Sequence, residues 1–239
     1  MLFLLRQIRR KTLLNNKFTT YFLYAIGEIM LVVIGILIAV SIDSWNEAKK
    51  DRIQEYKSLE ELRSALQADL SDIQFNIGWH KSAQVSCEMI LEAIDLKIPH
   101  TDSINTHFGR VLRFSQFVPE IGTYESLKGN NLSLISDDSL RIKITHYYEN
   151  NIQFALGTEQ LNRALFPQNM ELYQKHFFNT QITQYAIPRN YENLITNEDY
   201  QSFLYATKSL RQSEATLFKD LEVTCKELIQ LIDLHLQNK

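Results

Sequence analysis

Glycine and proline are scarce, with seven Gly and four Pro in 239 residues. So few breakers leave little room for the many turns of a β sandwich or barrel and favour long helices. Cysteine is limited to Cys87 and Cys225, too few for a disulfide framework. An excess of one charge is lacking too: 25 Lys and Arg stand against 28 Asp and Glu, a formal charge of −3. Nothing there points to nucleic acid. Catalytic signatures are also missing. The six histidines form no H-E-x-x-H pair, and there is no G-x-S-x-G elbow and no Cys-His motif with family spacing. His100, Asp102 and His107 match no zinc pattern. GTYESLKG lacks the G-x-x-x-x-G-K-[ST] order of a phosphate loop. No catalytic residue, metal ligand or cofactor is expected, and the chain reads as a binding protein rather than an enzyme.

What is present decides the class. Residues 18–45 read FTTYFLYAIGEIMLVVIGILIAVSIDSW, apolar almost without interruption from Tyr21 to Ile42, with no Pro, Lys or Arg from Tyr21 onward. At a rise of ~1.5 Å per residue such a helix covers ~30 Å, a bilayer's hydrocarbon core. Tyr21, Tyr24 and Trp45 stand at its two ends, where amphipathic rings favour the headgroup level. Arg6, Arg9, Arg10, Lys11 and Lys17 precede the run without any acid, and the flank after it is balanced. That bias places the N-terminus in the cytoplasm and the bulk of the chain outside the inner membrane. The competing reading is a cleaved signal peptide with Ala39-Val40-Ser41 as its cleavage site, but the basic and aromatic stretch ahead of it is long for an n-region.

Beyond Trp45 the pattern is helical. Ile53, Tyr56, Leu59, Leu62, Leu66, Leu70, Ile73 and Ile77 recur at steps of three and four, one face of a helix that Gly78 would stop. Ala83, Cys87, Ile90 and Ile94 mark a second helix ending before Pro99, and a third runs from about Asp102 to Phe114. Residues 117–137 are the least regular. A long helix follows Ser136-Asp137-Asp138, good N-cap chemistry, with Leu140, Ile144, Tyr147, Phe154, Leu161 and Leu165 as its buried face. Pro167 is expected to begin another helix through about Phe178, residues 179–196 to form a loop, and a last helix to start near Asn197. Phe203, Leu210, Leu217, Leu221, Cys225, Leu228 and Ile232 mark its stripe. The fold class is all-α: a basic segment 1–20, a transmembrane helix 21–44, and residues 45–239 as an exported antiparallel helical bundle whose first and last helices are the long ones.

Two blocks, LYAIGEIMLVVIGILIAVSIDSWNE and GTYESLKGNNLSLISDDSLRIKITHYYEN, resemble an uncharacterised family of single-pass membrane proteins from Bacteroidota, a domain of unknown function. The resemblance covers most of the chain. It implies the topology and a helical exported domain, and no activity, cofactor or catalytic residue.

Two places are candidate sites. Glu28 sits one turn inside Tyr24, at shallow hydrocarbon depth, where a carboxylate is costly. Ala25, Glu28, Val32, Gly35 and Ala39 share a face, and small residues with one polar group suit close helix packing. Glu28 therefore reads as a seam residue of a self-associating span, as part of an ion path, or as a side chain reaching the headgroups or Lys17. In the second block, Gly122, Thr123, Tyr124, Glu125 and Lys128 read either as a ligand or partner surface or as a structural crossover: a short helix and then a turn capping the next one. Cys87 and Cys225 lie on apolar stripes and read as buried free thiols, or as a pair if their helices touch.

The expected protein is an anchored helical module of the bacterial inner membrane. Its C-terminal domain is periplasmic, and it acts by interaction or sensing. The lipid bilayer and an unidentified envelope protein are its partners. The alternative is a subunit of a homo-oligomeric assembly or channel with Glu28 on the shared axis. No output domain is expected on the cytoplasmic side.

Overall fold

A computed structural model describes residues 18–237, apart from the side chains of 18–20, 130 and 131. The basic residues Arg6 to Lys17 lie outside it. Apart from one short hairpin, the secondary structure is helical: α1 (Phe18–Asp95), α2 (Ile104–Arg110), α3 (Gly122–Asn131), α4 (Asp138–His146), α5 (Ile152–His176), β1 (Phe177–Gln181), β2 (Tyr185–Pro188), α6 (Tyr191–Ile195) and α7 (Glu198–Gln237). The chain divides into two compact units between Gln54 and Glu55.

In the first unit, α1 from Tyr21 onward is long and apolar enough to cross a membrane, and none of its apolar window is buried. Nothing lies within 4 Å of where a Cβ at Gly35 would stand.

The second unit is built on α1 and α7, which run antiparallel. Their side-chain contacts descend in step: Glu55 with His235 at 3.0 Å, Gln74 with Glu222 at 2.9 Å, His80 with Glu214 at 3.1 Å, Glu88 with Lys208 at 3.6 Å. Gly78 does not stop α1. Helix interior glycine costs roughly 1 kcal/mol, less than the packing of the apolar residues on either side, so the two helices expected here are one. The stop comes at Lys97, whose left-handed φ of 51° lets Ile98 N–H reach Ala93 O at 2.9 Å and Lys97 N–H reach Ile94 O at 3.1 Å. This is the reciprocal bonding of a helix C-terminus in which glycine usually stands.

Two apolar clusters fill the unit. One gathers Leu59, Leu62, Leu66 and Ile73 with Ile135, Ile144, Tyr147, Phe218, Cys225 and Ile232. The other gathers Cys87, Ile90, Phe108, Tyr173, Phe177, Tyr200 and Leu204. Both thiols are free and buried, one in each cluster. Burial pushes Cys87 up to about 12 and Cys225 up to about 11, so neither is a ready nucleophile at neutral pH.

Several expectations are corrected. The third helix is shorter than 102–114: it ends at Arg110, and residues 113–121 carry no regular secondary structure. Pro167 lies inside α5 and does not begin a helix. Residues 179–196 are not a loop. They complete an antiparallel hairpin, Thr180 opposite Ala186 and Gln181 opposite Tyr185, and then α6. Thr183 takes φ 69° at the turn. On α7 Leu221, Cys225, Leu228 and Ile232 are buried as expected, but the first half of the stripe is Leu204, Thr207, Arg211, Glu214 and Phe218, with Phe203, Leu210 and Leu217 only half-buried.

The largest correction concerns the helix after Asp137. Asp137 caps α4 as expected, accepting from Leu140 N–H at 3.0 Å. Leu140, Ile144 and Tyr147 are buried, but Phe154, Leu161 and Leu165 are 67%, 56% and 37% exposed. Between α4 and α5, residues Tyr147–Asn151 form a π turn, with Ile152 N–H bonded to Tyr147 O. One extra residue in the turn rotates everything after it by about 100°. The buried positions are accordingly Tyr148, Ile152, Ala155, Glu159 and Asn162, most of them one residue beyond the expected stripe.

Candidate functional site

The second block folds its own two ends together. Tyr124 on α3 is buried, and its ring stacks on Tyr148 of the π turn at 4.5 Å and 5°. Its hydroxyl donates to Glu149 Oε1 at 2.9 Å, and Lys128 Nζ donates to the same oxygen at 2.6 Å. The Lys128 bond and then the Tyr124 bond hold the Glu149 carboxyl below its ordinary value. Gly122 and Glu125 are exposed and Thr123 is half-buried. Of the five sequence candidates, then, Tyr124 and Lys128 are committed to Glu149, and Gly122, Thr123 and Glu125 stand at the accessible start of α3. In the span, Glu28, Val32, Gly35 and Ala39 are exposed and Ala25 is half-buried. The alternative partner Lys17 lies outside the described residues.

Behind the block lies a carboxylate ladder that the sequence reading missed. The irregular stretch after α2 lies outside the hairpin sheet, and its N–H groups find side-chain acceptors instead. Phe117 N–H donates to Glu159 at 2.5 Å, Val118 N–H to Asp72 at 2.9 Å and Glu120 N–H to Asp69 at 2.7 Å. Asp69 also receives the Tyr147 hydroxyl at 3.4 Å. Burial, against the Glu120 bond and helped by the nearby Glu120 and Asp72 charges, raises the Asp69 carboxyl to about 6.

This has a measurable consequence. Asp69 is protonated in the folded chain at pH values where the unfolded chain has already lost that proton. Its contribution is therefore full below the ordinary carboxylate range and is lost as pH rises towards 6. Raising pH from 4 to 7 is expected to cost the full-length protein on the order of 2 kcal/mol that the Asp69→Asn variant does not lose. Denaturant melts of both proteins across that range measure it. Parallel curves would show that Asp69 titrates normally.

A second polar layer separates the two apolar clusters. On α1 it lies between Ile77 and Cys87, and on α7 between Leu204 and Phe218. His80, Asn162, Arg211 and Glu214 are all buried. Arg211 Nη1 donates to Glu214 Oε2 at 2.7 Å and to Asn162 Oδ1 at 3.0 Å. Asn162 donates in turn to Glu214 Oε1. His80 Nδ1 stands 3.1 Å from Glu214 Oε2, and its ring stacks on Phe218 at 5.5 Å. Burial pushes the Glu214 carboxyl up, but the His80 bond and the Arg211 guanidinium outweigh it and hold it below its ordinary value. On the other side of the ring, Ser115 Oγ lies 3.4 Å from His80 Nε2 and donates to Asn76 Oδ1 at 2.5 Å. The order serine, histidine, carboxylate is that of a nucleophile triad. Here, however, the serine proton is held by Asn76, and the carboxylate is held by Arg211 and Asn162 as well as His80. The layer links side chains of α1, α5 and α7.

A third cluster centres on buried Glu55, whose Oε1 accepts from Ser136 N–H and Oγ at 2.8 Å each and meets His235 Nε2 at 3.0 Å. His100 and His107 go separate ways, His100 to Asn105 at 2.9 Å and His107 to Ser86 at 3.3 Å. Among the described residues no group of three or more His, Cys, Asp or Glu is placed to hold a metal.

The missed residues left one signal. Thr207, Arg211 and Glu214 continue the three-and-four spacing of the α7 stripe, and a polar residue on a core stripe implies a buried partner on a facing helix. No curated protein and no solved structure matches the chain. A family model described as a family of unknown function, DUF6090, matches residues 28–208. That match runs from the span's Glu28 through the block at 122–150 to the first turns of α7, and on it the chain belongs to the DUF6090 family.

Proposed function

We propose that this chain is a membrane-anchored helical module of the bacterial envelope that works by binding. The carrying observation is α1 itself, which is apolar and unburied from Tyr21 to Ile42 and supplies core residues from Leu59 to Ala93. The basic residues before the run and the balanced flank after it place the N-terminus in the cytoplasm and the helical domain in the periplasm. The resemblance of the two signature blocks to single-pass proteins of Bacteroidota agrees with an inner-membrane address. Binding, to an envelope protein or a signal, is supported by the state of the polar side chains that the fold gathers. Glu55, Glu149 and Glu214 are each held by partners within the protein, as suits a rigid scaffold that presents a surface.

A reporter fused after Lys239 tests the arrangement. A reporter active only in the periplasm is expected to work and one active only in the cytoplasm to stay silent; the reverse pattern would overturn the localisation.

The second reading is a homo-oligomer or channel with Glu28 in the seam. It rests on the small residues that share a helix face with Glu28, namely Ala25, Gly35 and Ala39.

A further inference from the structure

Five arginines among the described residues are withdrawn from solvent, buried or half-buried: Arg63, Arg110, Arg113, Arg141 and Arg211. Three of them hold a carboxylate, Arg63 on Asp233, Arg141 on Asp138 and Arg211 on Glu214. Among the described residues, Arg110 and Arg113 have no carboxylate within 4.0 Å, and they are neighbours. Turn bonds carry the chain on from α2, Val111 N–H to His107 O at 3.1 Å and Arg113 N–H to Arg110 O at 3.0 Å. His107, Arg110 and Arg113 therefore follow one another at steps of three. The row faces α1. His107 Nδ1 lies 3.3 Å from Ser86 Oγ, Arg113 Nη1 donates to Ser82 Oγ at 2.6 Å, and the Arg113 guanidinium lies over the Trp79 ring at 4.4 Å. α1 thus presents two hydroxyls and an indole where a structural ion pair would have put an acid. Burial and then the Arg110 charge lower both His107 and Arg113, as a like charge does when nothing offsets it. Arg110 Nε is buried without a hydrogen-bond partner among the described residues, although such donors are almost always satisfied.

We propose that Arg110 and Arg113, with His107 beside them, form a binding site for a phosphate group on the helical domain. Two fixed positive charges call for a dianion, and the planar guanidinium fork matches phosphate oxygens two at a time. A single carboxylate would leave one charge unmatched. Arg113 is set before the ligand arrives. Its Nε donates to Thr183 O at 3.0 Å, its Nη1 is held by Ser82, and Trp79 is fixed in turn by its bond to Phe114 O at 3.2 Å. That leaves Nη2 for the ligand and little side-chain freedom to lose. His107 adds a third donor, since a bound anion favours its protonated form. The site lies wholly within the second unit, so the proposal goes beyond the anchored reading and does not depend on it.

The test uses the full-length protein in detergent with inorganic phosphate as the probe, against chloride at equal ionic strength. Phosphate is expected to raise the melting temperature saturably. Arg110→Gln is expected to weaken binding about tenfold or more. Without phosphate it is expected to melt no lower than the unchanged chain, because it removes a repulsion and no bond. Arg113→Lys keeps the charge and loses the fork. It is expected to weaken binding too, and it decides the matter if Arg110→Gln fails to fold. Arg163→Gln, exposed on α5, is the control and is expected to bind as before. The His107 ring, followed by NMR, is expected to titrate at higher pH with phosphate bound. Glycerol phosphate separates the sources: binding as tight as that of the free ion supports an esterified ligand, and much weaker binding supports the free ion. Stabilisation matched by chloride would mean charge screening only and overturns the proposal. So does a phosphate affinity unchanged in Arg110→Gln. So does tighter binding of succinate than of phosphate, which would give the arginines to a carboxylate ligand. A reporter result against a periplasmic domain would leave this titration untouched, so the two readings fail separately.

Discussion

Replacing Arg211 with Ala is expected to cost about 3–5 kcal/mol of stability, the usual range when one partner of a buried ion pair is removed. Arg211 is 4% exposed, and its guanidinium donates to both Glu214 and Asn162. Without it the Glu214 carboxylate stays buried on His80 and Asn162 alone. The double variant Arg211→Met, Glu214→Leu is expected to recover much of the loss, because it removes the stranded charge together with its partner. The pair also sets a pH dependence. Glu214 titrates below its ordinary value, so its contribution is full above the ordinary carboxylate range and disappears as pH falls through the lowered value. Midpoints of denaturant melts at constant slope measure both effects. An Arg211→Ala cost below about 1 kcal/mol would mean that water reaches the layer and screens it.

Gly109→Ala is expected to be about as damaging, near 3 kcal/mol, although it adds one methyl group. α2 packs directly on β2 at this point. A Cβ at Gly109 would run into the backbone of Tyr185 and lie 2.6 Å from the Gln184 carbonyl carbon. Backbone cannot swing aside as a flexible side chain does. Both sides of the contact are held from other directions as well: Arg113 Nε donates to Thr183 O of the hairpin at 3.0 Å, and the Tyr173 hydroxyl of α5 donates to Phe108 O of α2 at 2.7 Å. Relief would require the hairpin to leave α2, unpacking Phe108 and Phe177, whose rings lie 5.4 Å apart. Gly78→Ala is the control. It is also a helical glycine, nothing lies within 4 Å of its Cβ position, and the same change there should be neutral or slightly stabilising. Thermal melts of the two variants side by side decide the matter. Equal melting temperatures would mean that the α2–hairpin contact is not tight.

The sequence by itself determined the apolar run long enough to span a membrane, the all-α class, the Asp137 cap and the long antiparallel first and last helices. Each of these depends on local chemistry: an unbroken apolar stretch, a three-and-four period, a side-chain oxygen placed to accept a helix N–H. The Tyr124 block was visible as a distinctive run of residues, but not as the half that stacks on Tyr148 and shares Glu149 with Lys128, because that pairing joins segments 25 residues apart. Only the tertiary structure decided where the period breaks. Steps of three, four and seven carry one helical face through Leu140, Ile144, Tyr147, Phe154, Leu161 and Leu165, and nothing local announces that Tyr147–Asn151 will take one extra residue into its turn. Packing decides it. With the turn in place, Tyr148 meets Tyr124, Glu159 meets the Phe117 N–H, and Asn162 meets Arg211. Hydrogen bonds that are worth more when buried than in water thereby outweigh the apolar stripe and turn it to the outside.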